Sequence, residues 1–96
     1  MSLETYLAAA QRHADRYREL NRRCGPTWQA GDHLRAVAQL LGAAAAYRAA
    51  AGEAAATGDG RARDFGWSAA RLSELAEDHQ LWAEFGRIEA ADGAQA

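Results

Sequence analysis

Between Ala43 and Ala56 ten of fourteen residues are alanine, and Tyr47 is the only bulky apolar side chain among them. Alanine loses no side-chain entropy in a helix and has the highest helix propensity of any residue. The segment is therefore helical by default, but it is a thin helix whose use lies in letting a neighbour come close. Along the same stretch Ala38, Gly42, Ala45, Ala49, Gly52 and Ala56 recur at a 4-3-4-3-4 spacing, a continuous ridge of small residues. Glycine inside a helix costs about 1 kcal/mol relative to alanine. Two glycines on one line thus read as packing positions, where a second helix approaches inside the usual interaxial distance of about 8 to 10 Å. Leu34, Val37, Leu40, Leu41, Ala44 and Tyr47 supply a stripe of larger residues on the same segment.

The flanking segments have their own helical periodicity. Leu3, Tyr6, Leu7, Ala10, His13, Ala14, Tyr17, Leu20 and Cys24 follow one another at intervals of three and four, which makes one broad face apolar. Ser2 is placed to cap this helix, and Gly25-Pro26 to end it. Its other face carries five arginines with Asp15 and Glu19, and Glu19 lies four residues before Arg23, a favourable pairing. The alanine helix begins at Thr27 or at Asp32 and stops at the Thr57-Gly58-Asp59-Gly60 turn. A last segment, Arg61 to Ala91, carries Phe65, Ala69, Leu72, Leu75, Ala76, Trp82, Phe85 and Ile88 at helical spacing, either unbroken or interrupted near Gly66 or Asp78. The pattern predicts an all-α fold. It is a small antiparallel bundle of three helices, or four if the last segment breaks, with the Ala/Gly-rich helix at its centre. Residues 1–91 form one domain, and 92–96 are expected to be a disordered tail.

Of the 47 apolar residues 26 are alanine, so only 21 can bury a large area. A 96-residue chain with so little bulk has a core in short supply, and sharing it with a second copy, as a homo-oligomer such as a dimer, is the expected remedy. Charge is unevenly placed: residues 1–63 hold nine arginines against six acids, and residues 64–96 two against seven. A head-to-tail or antiparallel pairing of copies is electrostatically favoured by that arrangement. A pI near 5.9 disfavours nucleic acid as a partner. No apolar run reaches the roughly 18 residues of a membrane span, no secretory leader opens the chain, and the lone Cys24 suits a reducing compartment, so a cytoplasmic location is expected. All eleven basic residues are arginine, a composition of GC-rich bacterial or phage coding sequence.

Residues able to carry chemistry are few and scattered. His13, His33 and His79 fall one to each helix. Helix lengths place His13 and His79 at similar heights, near Tyr17 and Tyr47, so these four form the candidate site for a small molecule or metal ion. Carboxylate-bridged metal sites in bundles use Glu-x-x-His, a spacing absent from this chain. No cofactor is expected. Cys24 is flanked by Arg22 and Arg23, but it sits at a helix C-terminus, where the dipole works against a thiolate. The acids Glu74, Glu77, Asp78 and Glu84 read as a solvated helix face. What remains is three tryptophans in a chain poor in large side chains. Tryptophan buries much area and keeps a hydrogen-bond donor at the rim, which suits it to interaction surfaces. The expected function is therefore a small non-enzymatic helical protein that binds another protein through Trp28, Trp67, Trp82 and Phe85, as adaptor, regulator, immunity or phage-type inhibitor proteins do.

Overall fold

Each helix start and stop is held by a specific local bond. The structure, a computed structural model, describes residues 2–95 and the side chains of residues 2–89. Helix α1 spans Leu3–Cys24, one 3-10 turn follows at Gly25–Thr27, α2 spans Ala30–Ala56 and α3 spans Ala62–Gln95. Ser2 Oγ accepts the Thr5 amide at 3.3 Å and so caps α1. Gly25, with φ +49°, turns the chain out of α1 while its N–H returns to the Asn21 carbonyl, and Pro26 cannot extend the helix. Glu19 pairs with Arg22, at 2.5 Å, instead of the Arg23 expected from spacing. The start of α2 lies between the two expected positions: Gln29 precedes the helix, and Asp32 Oδ2 accepts its amide at 3.0 Å.

At the second turn Gly58 adopts φ +73°. Asp59 accepts both the Arg61 amide at 2.9 Å and its guanidinium at 2.8 Å, contacts that hold the Asp59 carboxyl down at about 2. Helix α3 is unbroken through Gly66 and Asp78, which settles the count at three helices. It continues to Gln95, past the boundary at residue 91 expected for the domain; Ala96 lies outside the described residues. No helix among the described residues is long and apolar enough to cross a membrane.

The result is an antiparallel all-α bundle in which α2 packs on both neighbours, while no Cα of α1 lies within 8 Å of one in α3. The most extensive packing is between α2 and α3. Inward positions on α2 are His33, Ala36, Leu40, Ala43, Tyr47, Ala50 and Ala54, and on α3 Phe65, Ala69, Leu72, Ala76, His79, Ala83 and Gly86, all buried or half-buried. Both stripes alternate bulky with small residues. A Cβ built on Gly86 would lie 3.5 Å from the Ala30 Cβ, which fixes the antiparallel register. Carried along the pair, that register sets Leu40 against Ala76 and Tyr47 against Ala69, while Ala43 and Ala50 receive Leu72 and Phe65. Large flat rings also meet across the same seam, Tyr47 with Phe65 and His33 with His79. Leu40, 1% exposed, is the largest side chain to be fully buried, and it gathers Val37, Ala76, Leu72, Leu75 and Tyr17.

The small-residue ridge expected to carry this packing lies elsewhere on α2. Ala38, Ala45, Gly52 and Ala56 are exposed, and Gly42 and Ala49 are only half-buried. The ridge is displaced by two residues, about 200° around the helix, from the stripe that is used. Gly42 alone has a packing reason. A Cβ there would fall 2.7 to 2.8 Å from the His13 ring of α1, and that ring is held by a 2.9 Å hydrogen bond to Gln39. Nothing lies within 4 Å of a Cβ built on Gly52.

The two glycines should therefore respond in opposite ways. Gly52→Ala gains helix propensity with no clash and is expected to stabilise the fold by about 1 kcal/mol, a rise of roughly 4–8 °C in Tm. Gly42→Ala gains the same propensity but must displace His13 from Gln39, so it is expected to give no rise. Thermal melts of the two variants, with the His13 ring resonances as a local probe, check both.

Candidate functional site: an imidazole pair between tryptophans

Where the α1–α2 connection passes the C-terminal half of α3, the alternation of bulky and small residues ends in two histidines. His33 from α2 and His79 from α3 meet with their Nδ1 atoms 2.8 Å apart. His79 is 3% exposed, the one buried polar or charged residue among those described. Its Nε2 lies 3.0 Å from the Tyr17 hydroxyl, so α1 and α3 are joined here through side chains. Trp28, just before α2, stacks on His33 at 4.9 Å between ring centroids and 16° between planes, and it lies 5.0 Å from His79. Trp82 stands edge-on to His79 at 4.9 Å. The imidazole pair is thus enclosed by two indoles and a phenol.

These contacts allow two arrangements of protons on the neutral pair. In one, the Tyr17 hydroxyl donates to His79 Nε2 and His79 Nδ1–H donates to His33 Nδ1. In the other, His33 Nδ1–H donates to His79 Nδ1 and His79 Nε2–H donates to Tyr17. One extra proton is accommodated, because a single N–H still lies between the two Nδ1 atoms. A second extra proton places N–H against N–H and breaks the contact. The surroundings oppose even the first: desolvation lowers the His79 pKa, the nearby His33 lowers it further, and Asp78 opposes them. Desolvation likewise lowers that of His33 against the pull of Asp32, and burial raises that of Tyr17.

The sequence-based candidate group of His13, His79, Tyr17 and Tyr47 is divided by the structure. Tyr17 and His79 come together. His13 is engaged with Gln39 and Gly42, six and nine residues further along α2 than His33. Tyr47 stacks on Phe65 at 6.3 Å, beyond the far side of Leu40. His33, which residue counting passes over, is the true partner of His79. The signal that could have found it is its position seven residues before Leu40 on the inward stripe, as His79 is seven after Leu72.

The four residues expected to contact a partner are also separated. Trp28 is half-buried in the cluster. Trp67 is exposed near the start of α3, away from the cluster, with the Arg71 guanidinium 5.3 Å from its ring centroid. Trp82 and Phe85 lie one turn apart on the outside. Cys24 is half-buried and its thiol is pushed up, by desolvation first and then by Asp32, which removes it as a ready nucleophile. Among the described residues no three of His, Cys, Asp and Glu lie together in a metal-binding arrangement.

The histidine pair should make stability pH-dependent. Both folded pKa values lie below the unfolded value, so as pH falls through the ordinary imidazole range the unfolded chain takes up protons that the folded chain refuses. Tm is expected to fall across that range and to level off below the folded pKa values. His33→Gln with His79→Leu should flatten this part of the curve; an equally steep curve for the variant would show that other groups cause it. No family model matches this sequence, and no curated protein or solved structure resembles it significantly, so the chemistry of the cluster is read from its own geometry.

Proposed function

We propose that this chain is a non-enzymatic helical binding protein of the cytoplasm, which acts by docking another protein chain on the outer face of α3, as an adaptor, regulator, immunity or phage-type inhibitor protein does. The observation that carries this reading is a contiguous apolar patch near the end of α3. Leu81, Trp82, Phe85 and Ile88 are 57%, 46%, 58% and 48% exposed. They follow helical spacing, so they lie on one side of the helix, away from the Ala76–His79–Ala83 stripe that packs on α2. Four large side chains exposed together are unusual in a chain with so few, and patches of this kind mark interaction sites. Trp82 links the two regions, since its ring touches His79 inside and faces solvent outside.

A second reading, a small-molecule or metal ligand at the cluster, is favoured by one observation: two Nδ1 atoms 2.8 Å apart beside a phenol. It offers two nitrogen ligands where zinc sites use three or four protein side chains, so the docking reading is preferred. Cobalt or zinc titration followed through the histidine resonances separates the two.

Leu81→Asp with Phe85→Asp tests the docking reading. Because both side chains are exposed, the melt is expected to stay within about 0.5 kcal/mol of wild type for each substitution. A partner captured from the native host by the wild-type chain should be lost with the variant. Equal capture by both would overturn the assignment of the patch.

A further inference from the structure

A groove of about 360 Å³ runs between α1 and α2. Leu20 and Ala38 form its apolar floor, and Arg16, Arg23, Arg35 and Gln39 stand around it. Arg35 is paired with Asp32, and the groove's only acid, Glu19, is taken up by Arg22. Arg16 and Arg23 meet no carboxylate within ion-pair distance among the described residues. They lie seven residues apart on α1, two turns or about 10.5 Å, so the groove presents two uncompensated positive charges at that interval beside an apolar floor.

The complement of this surface is present on the same chain. On α3, Glu77 and Glu84 are exposed at the same interval of seven residues, with Leu81 between them and Ile88 one turn beyond. Glu84 bonds Arg87 through Oε2 only, and Glu77 has no ion-pair partner among the described residues. We propose that the α1–α2 groove of one copy receives the Glu77–Ile88 face of α3 from a second copy, Glu77 and Glu84 meeting Arg16 and Arg23 while Leu81 covers Leu20 and Ala38. The proposal rests on the reading of α3 as a protein-docking face and names its partner.

Surface area supports a missing partner of this size. The chain exposes 6200 Å², whereas a compact monomer of 10.3 kDa exposes about 5,400 Å² by the usual scaling. The excess of about 800 Å² matches what one partner contributes to a standard interface. It follows from the elongated 60 × 20 × 19 Å shape. If the contact is reciprocal about a two-fold axis the assembly closes as a dimer; if one-way, it grows with concentration.

Charge reversal tests the match. Arg16→Glu with Arg23→Glu makes one variant, Glu77→Arg with Glu84→Arg another, and circular dichroism melts establish that both fold. Wild type is expected to show a concentration-dependent mass by light scattering that falls in high salt. Each variant alone should associate at least tenfold more weakly. An equimolar mixture of the two should recover the association, because each groove then finds a helix of opposite sign. A wild-type chain that stays monomeric throughout would overturn the self-docking proposal yet leave the docking reading to its own capture test. Self-association that survives both reversals but is lost in the Leu81→Asp, Phe85→Asp variant would assign the contact to the apolar patch alone and also overturn the groove. Weakened variants that fail to recover on mixing would do the same.

Discussion

The fit of bulky residues into alanine gaps between α2 and α3 is the contact on which the other features depend. A chain with 26 alanines among its apolar residues cannot fill a core by bulk, because each alanine removes little surface from water. It can fill one by approach. With Leu40 against Ala76 and Leu72 against Ala43, the two backbones come near enough for a few large side chains to be enclosed on all sides. Leu40 reaches 1% exposure this way. Flat rings meet along the same seam, Tyr47 with Phe65 and His33 with His79, and fill the space that the alanines leave. The α1 helix joins by a related device at Gly42, where the missing Cβ makes room for an imidazole.

The histidine pair is better understood as the end of that pattern than as an isolated site. His33 stands seven residues before Leu40, and His79 seven after Leu72, so each occupies a bulky position of its stripe. An apolar residue would fill either place. Imidazoles there bring polar atoms into a site that excludes water, and such atoms must be paired. Tyr17 and the Nδ1 to Nδ1 contact pair them, and no buried polar side-chain atom among the described residues lacks a partner. Satisfying those atoms ties all three helices together at one end. It also makes that end sensitive to protonation, since the pairing holds only while no more than one extra proton is present.

Local signals in the sequence located the elements, and relations between helices were harder to see. Ser2, Gly25-Pro26 and the Thr57–Gly60 turn each act through neighbours a few residues away, and each marks an element end in the structure. The face used by α2 is another matter. When ten of fourteen residues are alanine, small residues occur on every side of the helix, and a 4-3-4 line through Ala38 and Gly42 is as regular as the line through Ala36 and Ala43. Only the partner distinguishes them. Ala69, Ala76 and Ala83 repeat at seven just as Ala36, Ala43 and Ala50 do, but the match has meaning only if α3 is unbroken, which Gly66 left open. The pairing of His79 with His33 depends likewise on the helix-to-helix register, which the Gly86–Ala30 approach sets and no single helix reveals.

On α3 the packed stripe from Phe65 to Gly86 has a counterpart two residues further on. Trp67, Arg71, Glu74, Asp78, Leu81, Phe85 and Ile88 follow the same 4-3-4-3-4-3 spacing, and all are exposed. A helix that only needed to cover α2 would carry polar residues along its whole outer line. Here the line is charged in the middle, at Arg71, Glu74 and Asp78, and apolar toward its C-terminal end. That end borders the histidine cluster through Trp82, whose ring packs on His79 from one side. The proposed docking face and the imidazole pair thus share one side chain, Trp82, which is 46% exposed on the outside and edge-on to His79 within.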